Sequence, residues 1–276
     1  MTLHAYTQLP SFDWALKRLA GQDLSALAAD VLRLPAGQAV TQADVSRLVW
    51  GTVKGAEALR AVSDPVALAK KVLHLPASVD LSADQAGERL LWLMAGAAVS
   101  GFDPSDPADL AAWDLVRHGF LDDSTRLTTR GVPMGRNWTG RQVMGGIATQ
   151  GYVVSPDGSV ENGTRYAPGW PAAPSSSAAN AYVVYADSTN GHLSMPWPDG
   201  SSRWVPGSEI AALLRHDRVN QQIALAAPLL MVGTHNNPGG LAQHVAGRSG
   251  TARTTVLSEL PSAPVFDPSR NGSVIV

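Results

Sequence analysis

The 276-residue chain is 45% hydrophobic and 16% charged and carries a net charge of −2. This describes a foldable globular chain with no global field to select nucleic acid or a membrane surface. Cysteine is absent, which excludes disulfides, thiolate zinc sites, iron–sulfur clusters and a cysteine nucleophile. The opening residues Met1-Thr2-Leu3-His4-Ala5 lack a basic region followed by an apolar core. No signal peptide is therefore expected, and the chain reads as cytoplasmic or as exported within a larger protein. No apolar run reaches the roughly 18–20 residues of a membrane span; the longest, Leu90 to Val99, is too short.

Phe12, Trp14, Leu16 and Leu19 anchor a short amphipathic start over residues 11–20. An internal repeat follows. Ala26 to Ala36 returns as Ala67 to Ala77, an offset of 41 positions, and Leu27, Val31 and Leu34 match Leu68, Val72 and Leu75 on one helical face. Pro35 and Pro76 are expected to stop these helices. Thr41-x-x-Asp44 and Ser82-x-x-Gln85 then read as capping boxes that open two longer helices, through Trp50 and Trp92. Two units of short helix, turn and long helix predict an antiparallel helical bundle. Asp106-Pro107 starts a further helix, with Gly119 at its end. The stretch Phe120 to Gly131 then has the shape of a winged-helix hairpin.

Residues 131–180 read as a connector. Pro133, Gly135, Gly140, Gly145 and Gly146 break it, Tyr152 to Val160 forms a hairpin around Pro156-Asp157-Gly158, and a Pro/Ser-rich loop runs from Pro168 to Asn180. After it the pattern changes. Ala181 to Ala186 is a continuous apolar strand, and Leu193 to Pro206 is a hairpin around Pro198-Asp199-Gly200. Ser208 caps a helix through Arg215. Pro228 to Val232 is a buried central strand, Leu241 to Arg248 a helix and Arg253 to Leu257 a strand. The fold class is thus α/β: a helical bundle module over 1–130, a connector over 131–180, and a mainly parallel α/β domain over 181–276.

In such a sheet, ligands bind where strands end, which directs attention to Gly233-Thr234-His235-Asn236-Asn237. The backbone amides at a following helix start can bind an oxyanion or a phosphate. Adjacent residues on an extended chain point to opposite sides, so His235 is poorly placed to deprotonate Thr234. His192 is an alternative base from a loop. No histidine–carboxylate spacing fits a metal motif, and no cofactor is expected. Between Ser124 and Pro156 there is no acidic residue, while Arg126, Arg130, Arg136 and Arg141 occur with Trp138. In a wing-like hairpin these arginines would contact phosphates. The near-zero net charge and the lack of a basic recognition helix weigh against nucleic acid as partner.

The segments Tyr182 to Asp187, Pro196 to Gly200, Pro228 to Thr234, Gly239-Gly240-Leu241-Ala242-Gln243-His244-Val245-Ala246 and Ser249-Gly250 together resemble a known layout. It is that of the caspase-like, CHAT-like cysteine-peptidase region of large actinobacterial polymorphic-toxin-type proteins, the lonely-Cys domains. The resemblance covers roughly residues 180–258. It implies a caspase-like sandwich in which one strand end supplies a histidine and a later one the nucleophilic cysteine. Asp187 stands where the family has histidine, and Thr234 where it has cysteine. A threonine hydroxyl beside a carboxylate lacks the pKa match of a thiolate–imidazole pair. The resemblance thus implies a catalytically degenerate domain that binds another protein as a scaffold or accessory module of a bacterial toxin or defence system. The alternatives are an active hydrolase using Thr234 with His192 or His235, and a nucleic-acid-binding regulator using residues 106–141.

Overall fold

The computed structural model describes residues 11–129, 132–139, 153–154, 160–161, 182–223, 225, 229–233, 245 and 254–258. The chain divides into two compact units, Met1–Arg117 and His118–Val276. Within the described residues it combines helices with a mainly parallel sheet and smaller antiparallel sheets.

The first unit is helical: α1 (Ser11–Leu19), α2 (Leu24–Val31), α3 (Gln42–Leu59), α4 (Pro65–Val72), α5 (Ala83–Val99) and α6 (Pro107–Arg117). Each start has a local chemical cause. Asp23 accepts from the Ser25 and Ala26 amides, and Asp64 from the Ala67 amide ahead of Pro65 at the first helical position. Thr41 with Asp44 opens α3, and Ser82 with Gln85 opens α5, each as a reciprocal capping box. The bonds from the Thr41 hydroxyl and backbone hold the Asp44 carboxyl below its ordinary range.

The ends of α2 and α4 correct an expectation. Proline does not stop these helices. Arg33 and His74 do, in the left-handed region at φ 52° and 50°. The amides of Leu34 and Leu75 then reach back to the carbonyls of Ala29 and Lys70, satisfying orphan acceptors. Pro35 and Pro76 lie beyond this closure. The same local geometry therefore stands at positions 41 apart in the chain.

Helices α3 and α5 meet at backbone distance. A Cβ on Gly51 would lie 2.6 Å from the Ala95 carbonyl oxygen, and one on Gly55 would lie 2.9 Å from the Leu91 oxygen and the Ala95 nitrogen. The contact runs down one helix as it runs up the other, so the pair is antiparallel. Gly96, on α5, faces Val31 and the Trp113 indole in the same manner. Leu48, Leu90, Leu91, Leu93, Met94, Leu110 and Leu115 fill the core around these contacts.

The second unit is built on a five-stranded sheet in the order β1 (Arg126–Thr129), β2 (Val132–Asn137), β5 (Tyr182–Tyr185), β9 (Leu229–Gly233), β10 (Thr254–Ser258). β1 is antiparallel to β2; the other three pairings are parallel. β3 (Val153–Val154) and β4 (Val160–Glu161) form a separate antiparallel pair. β6 (Ser188–Thr189), β7 (His192–Pro196) and β8 (Ser202–Pro206) make an antiparallel sheet that leads into α7 (Gly207–Asn220).

This changes two readings. Residues 132–137, expected in a connector, are a strand of the main sheet, and the hairpin of residues 126–137 is the sheet's antiparallel margin rather than a projecting wing. Ser208 does not cap α7. The helix begins at Gly207, with Pro206 in the cap position and no side-chain cap. It runs on to Asn220 because Ile210 to Leu214 are all buried and Asp217 and Arg218 are buried as well.

The α3–α5 contact carries a prediction. Replacing Gly55 with alanine forces the two helix backbones apart and lowers stability by about 1–3 kcal/mol, read as a fall in the denaturant midpoint at unchanged slope. An unchanged midpoint would show that the helices do not approach this closely. Ser82→Ala, which removes a cap but no packing, costs about 1 kcal/mol.

Candidate functional site

The parallel strands set the geometry. Asn137 lies opposite Tyr185, Tyr185 opposite Val232, and Gly233 opposite Ser258. Four strands therefore finish at one end of the sheet, the position where α/β folds place ligands. Asp187 follows β5 by two residues and is half-buried. Its carbonyl accepts from the Ser194 amide, which ties the start of the antiparallel sheet to this end. Thr234 and His235 lie outside the described residues, as do Arg130 and Arg141.

His192 sits at the start of β7, opposite Thr189, across a two-residue turn of Asn190 and Gly191, both at positive φ. Its ring is exposed, and Nδ1 lies 3.0 Å from the Asn190 carbonyl oxygen. A carbonyl only accepts, so that bond needs the proton on Nδ1. That bond fixes the tautomer and leaves the lone pair on Nε2 of an exposed ring. Among the described residues, no group of three or more histidine, aspartate or glutamate side chains could hold a metal ion.

The phosphate-contact reading of the arginines is corrected at Arg136. This side chain is 1% exposed. Its Nε and Nη2 donate to the two oxygens of Asp217 on α7, at 2.9 and 2.6 Å. Its Nη1 donates to the Asp122 carbonyl at 2.8 Å and the Thr125 hydroxyl at 3.0 Å. These partners take four of its five N–H donors and the residue is buried, so it cannot meet a phosphate. Arg126 is exposed but pairs with Asp123 at 3.0 Å.

The arrangement around Arg136 is the most strongly perturbed in the described molecule, and sequence reasoning did not find it. Tyr182 on β5 donates its hydroxyl to Asp217, and Gln221 donates an amide proton to the same oxygen at 2.7 Å. Arg136 pairs with Val184 across β2 and β5, so it shares a sheet face with Tyr182, two residues before Val184. That face is the one on which Asp217 lies. Burial, reinforced by the Asp217 charge and hydrogen bond, pushes the Tyr182 phenol well above its ordinary range. Burial alone would lower Arg136, but the Asp217 bond and charge hold it above its ordinary value. Arg218 lies over the Tyr182 ring, its guanidinium carbon 5.9 Å from the centroid.

A buried Arg–Asp–Tyr cluster can mark an active site. Here the accounting decides otherwise. A carboxylate offers about four lone-pair directions, and Asp217 meets donors from Arg136, Tyr182 and Gln221 on them. Three of these donors converge on Oδ2 and the Arg136 Nη2 takes Oδ1, and at 2% exposure the carboxylate is closed to an incoming substrate. The cluster joins β2, β5 and α7 and acts as a structural clamp.

No family model matches the chain, and no curated protein or solved structure matches it.

Two outcomes test the clamp. Asp217→Asn leaves a buried guanidinium without its counter-charge and destabilises the fold by about 3–5 kcal/mol. Tyr182 supplies a pH signature. Its folded pKa is raised, so its contribution is fully present below the unfolded value of about 10 and is lost as pH rises beyond it. Thermal midpoints of the natural chain therefore fall above about pH 10, and Tyr182→Phe flattens that segment of the profile. An identical alkaline profile in both proteins would show that Tyr182 does not contribute.

Proposed function

We propose that the second unit is a catalytically degenerate, peptidase-like α/β domain whose work is binding another protein, as a scaffold or accessory module of a bacterial toxin or defence system. One observation carries the reading: β5 and β9 are adjacent and parallel, with Tyr185 opposite Val232. In the sequence, Asp187 follows Tyr185 by two residues and Thr234 follows Val232 by two. The positions at which the resembled family keeps its histidine and cysteine thus follow register-matched residues of neighbouring strands. A nucleophile and its base need that proximity to share a proton. The frame suits a dyad, and the residue types do not. An aspartate and a threonine supply neither a reachable thiolate nor an imidazole of pKa about 6.5.

The altered hydrolase is less well supported, because a threonine hydroxyl is a far weaker nucleophile than a thiolate even where the Nε2 lone pair of His192 supplies the base. The nucleic-acid reading loses Arg136 to the buried clamp. The assignment to a toxin or defence system rests on the resemblance alone.

The test is cleavage of a peptide library by the natural chain beside a double variant, Asp187→His with Thr234→Cys. The expected outcome is silence from the natural chain and Cys-dependent cleavage from the double variant. Cleavage by the natural chain that disappears in Thr234→Ala would overturn the reading and make the protein an enzyme. Silence from a folded double variant would remove the peptidase frame.

A further inference from the structure

The antiparallel sheet β6–β7–β8 has two unlike faces. On the inner one, Leu193, Met195 and Val205 are fully buried. Trp197, in the turn, packs against Phe120 and His118, with ring centroids 5.1 Å apart in each case, and under the Arg203 guanidinium at 4.3 Å. The hairpin is thus held firmly from one side. The outer face presents His192, Ser194, Pro196, Ser202, Trp204 and Pro206, and Trp204 is 52% exposed. Single exposed apolar side chains are ordinary, and Trp50 is 51% exposed too; what sets Trp204 apart is the backbone beside it.

The hydrogen-bond phase shows what lies beside it. The Trp197 amide donates to the Ser201 carbonyl at 2.7 Å, and the Gly200 amide to the Trp197 carbonyl at 3.0 Å. Residues 197 and 201 are therefore a hydrogen-bonded pair. In an antiparallel ladder, bonded and non-bonded pairs alternate. Pro196 with Ser202, and Ser194 with Trp204, are then non-bonded pairs, whose backbone groups point away from each other. The other side of β7 agrees with this phase: the Ser194 amide points away from β8 and donates to the Asp187 carbonyl at 2.8 Å. The N–H and C=O groups of Ser202 and Trp204 consequently face out from β8. β8 is an edge strand, and among the described residues no hydrogen bond from outside the sheet reaches those groups.

We propose that β8 is a docking edge for an extended peptide segment of another protein, added as a further strand, with an apolar side chain of that segment resting on Trp204. This deepens the binding reading given above and shares its view that the domain works by recognition, but it uses β8 alone and none of the residues at the end of β5 and β9. The observations favour a peptide backbone over other occupants. Two donor–acceptor sets spaced two residues apart match the repeat of a strand. A sugar ring could cover the indole but would leave that row unanswered. A second copy is a poorer match. Antiparallel self-pairing about Trp204 would set Pro206 opposite Ser202, and proline has no amide proton, so a bond is lost at each end. The positions around Trp204 carry no carboxylate, lysine or arginine on the outer face, so the segment needs no net charge there. Edge strands are templates for added strands, and natural edges are blunted by outward charges or proline; β8 carries no outward charge from Ser202 to Trp204, and Pro206 ends the row of donors beyond Trp204.

Amide hydrogen exchange on the full chain is the first measurement. Ser202 and Trp204 amides exchange freely, while those of Leu193, Met195, Arg203 and Val205 are protected by the ladder. Protection of Ser202 and Trp204 in the free chain would overturn the proposal, because the edge would already be covered. The second measurement pans a displayed library of random peptides about ten residues long against the full chain. Enriched peptides slow exchange at Ser202 and Trp204. They bind about tenfold more weakly to Ser202→Pro, which removes one outward N–H and none of the β7–β8 bonds. Trp204→Ser weakens them as well, and both variants keep the unfolding midpoint of the natural chain. Failure to enrich any peptide would overturn the proposal. Loss in Trp204→Ser with full binding to Ser202→Pro would do the same in favour of a side-chain platform for a glycan or a proline-rich helix. Self-association abolished by Ser202→Pro would replace the peptide with a second copy. None of these outcomes depends on whether Asp187→His with Thr234→Cys cleaves peptides.

Discussion

The bidentate bond between Arg136 and Asp217 constrains the second unit more than any other described contact. Both side chains are about 2% exposed, so folding strips water from two full charges. Removing ions of this size from water costs several kcal/mol each, and their attraction recovers that only when geometry and remaining hydrogen bonds are complete. Completion is visible here. Arg136 donates to a carbonyl and a hydroxyl besides the carboxylate, and Asp217 accepts from Tyr182 and Gln221 as well. Such a cluster adds little net stability over an apolar filling, but it tolerates very few alternatives. Sliding β2 by one residue would turn Arg136 to the opposite face, away from α7. The pair thus specifies register between a strand and a helix that lie 81 positions apart. Because β5 is fixed to β2 on one side and to β9 on the other, the clamp also determines where Asp187 leaves the sheet.

The helical unit reaches its packing by a different route. Gly51, Gly55 and Gly96 let backbones approach, where larger residues would hold the helices apart. Glycine in a helix interior costs roughly 0.5–1 kcal/mol relative to alanine. Reciprocal caps at Thr41 and Ser82, together with the fully buried leucines around the crossing, supply offsetting stability. The left-handed residues Arg33 and His74 are a further local cost, since side chains with a Cβ rarely occupy that region. The carbonyls they allow to be satisfied explain why the chain accepts it.

How much of this was legible in the sequence follows from the range of each interaction. Caps act over three or four residues, and Thr41-x-x-Asp44, Ser82-x-x-Gln85 and Asp106-Pro107 could be read directly. Apolar strands such as Tyr182 to Tyr185 and Leu229 to Gly233 announce burial by composition. The Asn190-Gly191 turn was legible as well, being a strong hairpin signal. β2 was not legible. Pro133, Gly135 and Arg136 look like connector residues, and only the partner strand and Asp217 make them a strand. Arg136 was read as a phosphate contact because a basic side chain's counter-charge is invisible until the fold brings it near. For the candidate site, Asp187 and His192 could be named from sequence, whereas the clamp could not, since each member reads locally as an ordinary strand or helix residue.

The same reasoning separates what the second unit can do from what it resembles. Catalysis by a paired nucleophile needs a base with lone pairs free and a pKa near the working pH. The buried carboxylate with the richest surroundings, Asp217, is 2% exposed and already accepts from donors that hold the fold together. The exposed imidazole of His192 stands at the start of β7, with Nδ1 bonded to its own turn. Recognition demands less: a rigid surface whose polar groups are not yet satisfied. β8 answers to that demand because its inner face is locked by Trp197, Phe120 and Arg203, while Ser202 and Trp204 are exposed on its outer face. Among the described residues, the outward backbone row of Ser202 and Trp204 on a firmly held hairpin is the feature on which the binding proposal rests.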